Sequence, residues 1–242
     1  MAEAYDFDLA IIGTGPGGYV AAIRAAQLKL KVVVIEKEKI GGVCLNIGCI
    51  PSKALINQAE IFRSQSALAE MGIKLDQSGF DYSKVYAASR KAADSLSKGV
   101  GYLLKKNGIT TIQGNAVLES AHELLVDGTK KVTAKSIIIA TGSRPRVIPG
   151  FEFDEQVVLS SNGALLLQKL PESIVIMGGG AIGVEFAHIM NSFGVKVHLV
   201  ELMERILPLE EKEISDHLRR AFVRRGIEVY TGTKVLSVKK SQ

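Results

Sequence analysis

The residues of this sequence best suited to redox chemistry are its two cysteines, and both lie in one glycine-rich segment. Residues Gly41–Lys53 read GGVCLNIGCIPSK, so that four residues separate Cys44 from Cys49. Over this spacing a regular α-helix rises about 7.5 Å along its axis, beyond the roughly 7 Å Cα limit for a disulfide. If the two sulfurs bond, the chain must therefore bend between them, and Gly48 permits such a bend.

A helix is predicted to begin shortly after Cys49. Pro51 suits the first turn of a helix that runs on through Ser52–Glu60, and Lys53 lies about one turn beyond the second cysteine. A helix N-terminus and a nearby cation both favour the thiolate, which is the reactive form of cysteine in redox chemistry. The segment is thus a candidate redox-active disulfide.

Two other interpretations of the cysteines are open. Free cysteines are commonly small buried core residues, although these two share one short segment of the chain. A structural zinc site needs about four ligands, and no histidine lies near this segment in the sequence. The sequence therefore favours redox chemistry and predicts no metal site.

A glycine motif precedes the cysteine segment. A buried strand predicted at Phe7–Ile12 runs into GTGPGG, a helix follows at Tyr19–Leu28, and a second strand, Val32–Ile35, ends at an acid. In this dinucleotide-binding pattern, G-x-G-x-x-G, the first glycine of the pattern makes a tight turn, the second admits a pyrophosphate and the last lets the helix pack on the strand. The acid accepts hydrogen bonds from a ribose. The residues in these four positions are Gly13, Gly15, Gly18 and Glu36.

The same pattern returns later in the chain. A strand predicted at Ser173–Met177 leads into GGGAIG, and a strand at Val195–Val200 is followed by a second acid. The first glycines of the two motifs are 165 positions apart, and so are the two acids. Equal glycine-to-acid spacing predicts two dinucleotide-binding modules, because a simple glycine turn would not explain the matched acid. The predicted binding residues of the second motif are Gly178, Gly180, Ala181, Ile182, Gly183 and Glu201.

The remaining elements follow from hydrophobic periodicity. Helices are predicted at Ser52–Met71, at Tyr82–Lys106 and at about Glu210–Arg225. A small antiparallel meander is predicted from the strand-like runs Ile109–Gln113, Glu123–Val126 and Lys131–Thr133. Further strands are predicted at Ser136–Ala140, Ile227–Tyr230 and Lys234–Val238.

These elements predict an α/β fold of two Rossmann-like modules, each with a parallel sheet, helices and a small antiparallel meander. The first domain is expected over residues 1–147 and the second, incomplete, over residues 148–242.

Basic residues are interleaved with acidic ones despite a net charge of +5, which indicates a solvated surface and no nucleic-acid partner. Without a long apolar run or a secretory signal, we expect no membrane segment and a cytoplasmic setting, where disulfides are more often catalytic than structural.

The order of these motifs resembles that of the pyridine nucleotide-disulfide oxidoreductases over the whole chain. The first glycine motif, the C-x4-C segment, the ATGS turn that ends at Ser143 and the second glycine motif follow one another as in that family. CLNIGCIPSKAL is most similar to the dihydrolipoamide dehydrogenases, since glutathione and mercuric reductases usually carry valine in place of Leu45 and Ile50. Val43 departs from the threonine that is common before the first cysteine.

The resemblance implies FAD in the first module, NAD in the second and an electron relay between them. A dihydrolipoyl dithiol exchanges with the Cys44–Cys49 disulfide, Cys44 being the exposed interchange thiol and Cys49 the sulfur beside the flavin. Lys53 stabilises negative charge on the flavin and pairs with Glu185, which could otherwise be a polar residue at a helix start.

The implied catalytic residues are Cys44, Cys49, Lys53 and Glu185. The implied FAD contacts are Gly13, Gly15, Pro16, Gly17, Gly18, Glu36, Lys37, Gly42, Val43, Cys44, Lys53, Gly114, Ala116, Thr141, Gly142 and Ser143. The implied NAD contacts are the second glycine motif, Glu201 and Val235.

The resemblance also implies partners and missing parts. Relatives are homodimers that act on dihydrolipoyl groups, which acyltransferase lipoyl domains of 2-oxo acid dehydrogenase complexes carry. A returning FAD segment and a dimerisation domain with a catalytic His–Glu pair have no match here, so we expect the N-terminal half of such an enzyme, with weak FAD binding and little activity alone.

A carboxylate at Glu201 is expected to disfavour NADP. A related glutathione- or mercuric-reductase-like enzyme and an inactive nucleotide-binding fragment are the alternatives.

Overall fold

A parallel sheet lies at the centre of each of two units in this computed structural model. The structure describes residues 5–239, and their packing divides the chain into Met1–Pro51 with Arg90–Arg144, and Ser52–Ser89 with Pro145–Gln242. The elements in chain order are β1 (Phe7–Ile12), α1 (Pro16–Gln27), β2 (Val32–Glu36), α2 (Gly42–Ile47), α3 (Cys49–Glu70), α4 (Tyr82–Lys106), β3 (Thr110–Gln113), β4 (Ala116–Leu118), β5 (Glu123–Val126), β6 (Lys130–Ile139), α5 (Ser161–Leu165), β7 (Ser173–Met177), α6 (Ala181–Ser192), β8 (Lys196–Val200), α7 (Lys212–Arg224) and β9 (Glu228–Tyr230). Within residues 5–239 no helix is both long and apolar enough to cross a membrane.

The first unit contains a six-stranded sheet in the order β3-β2-β1-β6-β5-β4. Strands β3, β2, β1 and β6 are parallel, whereas β6, β5 and β4 form an antiparallel meander. Residues 130–133 of β6 pair with β5, and residues 134–139 pair with β1. This long strand therefore joins the meander to the parallel sheet.

The observed pairing corrects the predicted meander. Sequence analysis assigns Ile109–Gln113 to the meander, but β3 extends the parallel sheet beside β2. Two runs predicted as separate strands, Lys131–Thr133 and Ser136–Ala140, fall in the single strand β6. Between them the fully buried Ala134 continues the alternation of buried and more exposed side chains that begins at Val132. Hydrophobic periodicity identifies a strand but not the strand with which it pairs. Strand β4, with three residues, is too short to show this periodicity.

The second unit contains the three-stranded parallel sheet β7-β8-β9. The three predicted strands of this sheet are confirmed within about one residue at their ends. The strand predicted at Lys234–Val238 is wrong, because this segment has no strand pairing and Leu236 is 81% exposed. Nor do residues 5–239 contain a meander in the second unit.

Helices α3 and α4 contribute to the second unit, although the predicted boundary at residues 147 and 148 assigns both to the first domain. Their apolar residues enter the core beneath β7–β9 because they pack against α6. The residues of α3 and α4 in this core are Leu55, Ala59, Tyr82 and Val85, and those of α6 include Phe186, Ile189 and Met190. The packing units therefore differ from the predicted nucleotide-binding domains, which stay a prediction about function.

The two glycine motifs adopt the same backbone geometry, as their duplication predicts. Gly13 and Gly178 have positive φ angles of 99° and 106° and turn the chain from a strand towards a helix. A Cβ atom on Gly18 would lie 1.9 Å from the Gly13 carbonyl oxygen, and one on Gly183 would lie 1.9 Å from that of Gly178. Only glycine lets each helix pack this closely on its strand.

Replacing Gly18 by alanine should strongly destabilise the first unit. Because the new Cβ would overlap a backbone oxygen, we expect the free energy of unfolding to fall by roughly 3 kcal/mol or more. Gly99→Ala is the control, since no heavy atom lies within 4 Å of that Cβ position in α4. Alanine there should stabilise the helix by about 0.5–1 kcal/mol. Urea unfolding monitored by circular dichroism measures both changes, and equal effects would contradict the packing argument.

Candidate nucleotide and redox sites

The carboxyl ends of the parallel strands meet at one edge of the first unit's sheet, the edge at which open α/β sheets bind ligands. Gly13 follows β1, Glu36 ends β2, Gly114 follows β3, and residues 141–143 follow β6. A Cβ atom on Gly13 would lie 2.3 Å from the Ala140 carbonyl oxygen, so the glycine motif and the turn after β6 are in contact. The structure thus brings together predicted residues from four separate parts of the chain.

A buried threonine and a buried glutamate join two of these strand ends. The Thr14 N–H and hydroxyl donate to Glu36 Oε2 over 2.8 and 2.7 Å. The Glu38 N–H donates to Glu36 Oε1 over 2.9 Å. Thr14 is 0% exposed and Glu36 is 7% exposed, so little water competes for these bonds. The carboxylate is therefore held in one orientation by its own chain.

Opposing effects act on the pKa of Glu36. Burial raises this pKa, whereas hydrogen bonds from Thr14 and from the Glu38 and Lys37 N–H groups lower it, and together they bring it below its ordinary value. The group is thus ionised at neutral pH. Because its folded-state pKa is lowered, it adds stability above the ordinary carboxyl pKa, and that contribution is lost as the pH falls through the folded-state pKa.

The first motif fits the pyrophosphate and ribose of a dinucleotide. No side chain caps α1 at Gly15, and no heavy atom lies within 4 Å of the Cβ position of this glycine. The helix N-terminus, formed by Pro16, Gly17 and Gly18, is therefore open to an anion. The Glu36 carboxylate is held beside this motif by the Thr14 N–H, the Thr14 hydroxyl and the Glu38 N–H, a position that suits a ribose hydroxyl.

The second motif repeats these contacts at the corresponding positions. The Gly179 N–H donates to Glu201 Oε2 over 2.6 Å, and the Met203 N–H donates to Oε1 over 2.8 Å. Gly180 caps α6 without a side-chain hydrogen bond, and its Cβ position is open. Because Gly179 replaces the threonine, Glu201 receives no hydroxyl hydrogen bond at this position and keeps more acceptor capacity than Glu36. This motif therefore also fits a dinucleotide.

The other predicted contacts of the second motif lie beside these groups. Ala181, Ile182 and Gly183 form the first turn of α6. The Thr233 N–H donates to the Glu201 carbonyl oxygen over 3.0 Å, two residues before Val235. The chain therefore passes the acid just before it reaches Val235, which is half-buried.

The cysteine segment is attached to the first glycine motif at its beginning. The Gly41 N–H donates to the Thr14 carbonyl oxygen over 3.1 Å and lies 3.3 Å from the Thr14 hydroxyl oxygen. A Cβ atom on Gly42 would lie 2.8 Å from the Gly15 Cα atom, so the two backbones are in contact. The residues before Cys44 therefore lie beside the predicted pyrophosphate position.

The chain bends between the cysteines, as it must if their sulfurs are to bond. Helix α2 carries Val43 and Cys44 in its first turn, the chain breaks at Gly48, and α3 begins at Cys49 rather than at Ser52. A Cβ atom on Gly48 would lie 2.9 Å from the Val43 carbonyl oxygen and 3.2 Å from the Cys44 Cα atom. Glycine is needed here because α3 starts so close to the beginning of α2.

Both cysteines are in the thiol form in the structure, with Cys44 half-buried and Cys49 exposed. This exposure is the reverse of the predicted one, in which Cys44 is the accessible thiol. The reason is that Cys44 packs against the core between α1 and the parallel sheet of the first unit, whereas Cys49 lies at the start of a new helix. The disulfide itself and the separate roles of the two sulfurs stay predictions.

Lys53 and Glu185 meet within the second unit. Lys53 Nζ, on α3, lies 2.5 Å from Glu185 Oε1, on α6, although 132 positions separate the residues in the sequence. The lysine side chain is 61% exposed and the glutamate side chain 31%. An ion pair this exposed contributes little to stability. The structure thus brings the two residues together as the resemblance implies and leaves the ammonium group accessible.

A histidine links the same two helices further along. His188 Nε2 lies 3.0 Å from Glu60 Oε1, and its Nδ1 atom lies 2.8 Å from Arg225 Nη1. Burial and the Arg225 charge lower the pKa of His188, against the opposing effect of Glu60. The ring is therefore neutral at neutral pH, with Nδ1 as the acceptor of the arginine N–H. This histidine is a structural link between helices.

Several residues of the first site are not identified by sequence analysis. Arg144 forms an ion pair with Glu38 from 106 positions away, immediately after the turn that follows β6. The Asn46 side chain donates to the Ile40 and Gly42 carbonyl oxygens over 3.0 and 2.9 Å. Only the position between two motif glycines could have indicated Thr14, and nothing in the sequence pattern indicates the others. Of the remaining predicted contacts, Lys37 directly follows Glu36 and Ala116 lies in β4.

The sequence matches the family model for pyridine nucleotide-disulphide oxidoreductases over residues 7–242. Dihydrolipoyl dehydrogenase of Chlorobaculum tepidum is 46% identical, and the match covers 99% of this chain and 52% of that protein. Dihydrolipoyl dehydrogenase of Bacillus subtilis is 44% identical, with 96% and 52% covered. The chain therefore spans about half the length of these curated relatives and matches their N-terminal half.

Solved structures of flavoprotein reductases have the same fold. LpdA from Mycobacterium tuberculosis is 25% identical with a TM-score of 0.88, over 97% of this chain and 53% of its own. The HOCl-induced flavoprotein disulfide reductase RclA from Escherichia coli is 30% identical with a TM-score of 0.80, over 94% and 49%. The Rossmann-type α/β fold is thus confirmed. Because the family model covers nearly the whole chain, this protein belongs to the pyridine nucleotide-disulphide oxidoreductases, a family that uses FAD and NAD(H).

Proposed function

We propose that this chain provides the redox-active disulfide and the two nucleotide sites of a dihydrolipoyl dehydrogenase. The proposed reaction oxidises a dihydrolipoyl group to a lipoyl group and reduces NAD to NADH. In this proposal residues 1–147 serve FAD and residues 148–242 serve NAD. The observation that carries it is the attachment of the bent C-x4-C segment to the first glycine motif through Gly41 and Thr14.

The proposed chemistry at the cysteines is thiol–disulfide exchange. A lipoyl thiolate attacks Cys44 Sγ in the Cys44–Cys49 disulfide, which forms a mixed disulfide and releases Cys49 as a thiolate. The second lipoyl thiolate then attacks the lipoyl sulfur of the mixed disulfide, closes the lipoyl disulfide and releases Cys44. Two protons leave the substrate, and its two electrons stay with the reduced cysteines. Bound FAD supplies two-electron transfer from this pair to NAD.

The residues around the cysteines support this chemistry. Cys49 begins α3, so its sulfur lies at the N-terminal end of a helix. The order of attack, on Cys44 with Cys49 leaving, follows from the resemblance and not from the observed exposures, since Cys49 is the more exposed residue. In our proposal Lys53 supplies positive charge near the redox site, and Glu185 holds the ammonium group in place through the observed ion pair.

The identity of the substrate rests on the cysteine segment and on the relatives. The curated relatives reported above are dihydrolipoyl dehydrogenases, which implies a lipoyl group. We propose that this group is carried by an acyltransferase lipoyl domain of a 2-oxo acid dehydrogenase complex, and that the complete enzyme is a homodimer. A flavin reductase acting on another disulfide is the second candidate, because RclA, a flavoprotein disulfide reductase, is also similar to this chain.

Disulfide exchange can be tested on this chain alone. After air oxidation, mass spectrometry with thiol labelling should find both cysteines protected in one disulfide. One equivalent of dihydrolipoamide under nitrogen should then make both thiols available to label, whereas glutathione should react more slowly. Cys44→Ser and Cys49→Ser are the matched controls, since neither can form the internal disulfide. Full labelling of both cysteines after oxidation would contradict the proposal.

Turnover is expected to need more than this chain. With FAD added, NADH formation from dihydrolipoamide should be at least about 100-fold slower than for a full-length relative. The reason is that general acid–base assistance is typically worth about 10²–10⁴-fold, and no histidine in the described residues lies in a recognisable catalytic arrangement. One bound FAD per chain, together with turnover equal to that of the relative, would contradict this expectation. The proposed thiol–disulfide exchange would not be affected by that result.

Nucleotide choice gives an independent test of the second site. Because Glu201 has free acceptor positions and a negative charge, it should accept a ribose hydroxyl and repel a 2′-phosphate. We therefore expect NADH to bind more tightly than NADPH, and Glu201→Gln to reduce that preference. Calorimetric titration of both nucleotides measures this. Equal or tighter binding of NADPH by the unaltered chain would overturn the assignment.

A further inference from the structure

Helix α4 contacts the cysteine segment and the two residues before it through a row of polar side chains. Arg90, Asp94 and Ser97 are spaced by four and three residues, so they share one face of the helix. Each of them has a partner in the stretch of chain from Lys39 to Asn46. The cysteine segment is therefore held by a helix that is distant from it in the sequence.

The guanidinium group of Arg90 binds the chain between the two cysteines. Its Nη1 atom donates to the Asn46 carbonyl oxygen over 2.8 Å. Asn46 lies in the last turn of α2, and the carbonyl oxygens of a last helical turn lack donors within their own helix. A charged donor is favourable there, because the C-terminal end of a helix carries partial negative charge. Arg90 thus fixes the chain two residues after Cys44 and three residues before Cys49.

The beginning of α2 is held from the same helix. The Ser97 hydroxyl donates to the Ile40 carbonyl oxygen over 2.6 Å, and Ser97 is buried. The Asn46 side-chain amide donates to the same carbonyl oxygen over 3.0 Å. Lys39 Nζ also lies 2.7 Å from Asp94 Oδ1, although an ion pair as exposed as this one contributes little by itself. Both ends of α2 are therefore connected to α4.

Apolar packing and the Arg90 hydrogen bond restrain different parts of this segment. Val100 and Leu104 of α4 share a core with the buried Leu45. Residues 47–49, in contrast, are half-buried or exposed. Packing therefore holds the body of α2, whereas Arg90 holds its end, where the chain turns towards the second cysteine.

We propose that Arg90 is a positioning residue for formation of the disulfide between Cys44 and Cys49. By holding the Asn46 carbonyl oxygen, it maintains in the dithiol form the bend that a disulfide requires. Less conformational entropy is then lost when the sulfur–sulfur bond forms, because the segment is already ordered. An external disulfide takes up the two electrons and two protons of the thiols, and Arg90 takes part in neither transfer. This inference rests on the proposed redox role of the two cysteines.

The equilibrium between dithiol and disulfide tests this role directly. The 242-residue chain is equilibrated with reduced and oxidised dithiothreitol under nitrogen, and thiol labelling with mass spectrometry gives the fraction in the disulfide form. We expect Arg90→Gln to lower the equilibrium constant for disulfide formation by about tenfold, since a charge-assisted hydrogen bond to the segment is lost. Arg90→Lys keeps a charged donor and should restore part of the constant.

Arg205 provides a matched control in the second unit. Its Nη2 atom donates to the Pro208 and Glu210 carbonyl oxygens over 3.2 and 3.3 Å, so this guanidinium group also binds backbone. Arg205→Gln should leave the disulfide equilibrium unchanged. Circular dichroism of each reduced variant checks its folding. Arg90→Met, which keeps the apolar stem of the side chain, replaces Arg90→Gln if that variant does not fold, and the same tenfold change is expected.

Three results would overturn the inference. The first is that folded Arg90→Gln or Arg90→Met has the disulfide equilibrium constant of the unaltered chain. The second is that Arg90→Lys falls as far as Arg90→Gln, and the third is that Arg205→Gln falls equally, which would indicate a general loss of stability. If the unaltered chain itself forms no disulfide, the proposed function fails together with this inference. If it forms the disulfide and the Arg90 variants match it, this inference alone fails.

Discussion

The buried hydrogen bonds between Thr14 and Glu36 are the contacts on which the first site depends. Through its N–H and hydroxyl, Thr14 fixes the carboxylate that ends β2, and through its carbonyl oxygen it holds the Gly41 N–H at the start of the cysteine segment. One residue therefore connects the first glycine turn, the acid that ends β2 and the cysteine segment. An unsatisfied carboxylate at this depth would be costly, so the arrangement is strongly favoured over alternatives.

The second module shows that the same backbone frame works without that side chain. Gly179 takes the place of Thr14, and a Cβ atom there would lie 2.8 Å from Ile206 Cγ2. The space that holds a hydroxyl in the first module is thus filled by an aliphatic side chain in the second. Among residues 5–239, the hydrogen bonds that hold the Glu201 carboxylate come from the Gly179 and Met203 N–H groups. The modules share a glycine motif but differ in the donors that hold their acids, and the C-x4-C segment follows the first motif.

Much of the fold and of both sites was predictable because it depends on local rules. A strand, a glycine turn and a helix leave a short-range pattern, and the 165-residue repeat confirms each copy by the other. The bend at Gly48 was expected on the condition that the two sulfurs bond, because a regular helix would hold them too far apart. What could not be predicted depends on partners distant in sequence, such as the pairing of β3 with β2 or of Arg144 with Glu38. The exposures of the two cysteines likewise depend on packing, and the strand expected at Lys234–Val238 lacks a neighbour to pair with.

Hydrogen exchange on two variants of Thr14 tests the central claim most directly. Thr14→Val keeps the shape of the side chain and removes the hydroxyl, whereas Thr14→Ser keeps the hydroxyl. If the buried hydroxyl bond to Glu36 holds the end of β2 in place, Thr14→Val should speed exchange at the amides of residues 36–42 by about tenfold, and Thr14→Ser should resemble the unaltered chain. Exchange around Gly179, which lacks an equivalent hydroxyl, should not change in either variant. Unchanged exchange at residues 36–42 in Thr14→Val, or an equal increase around Gly179, would contradict the account.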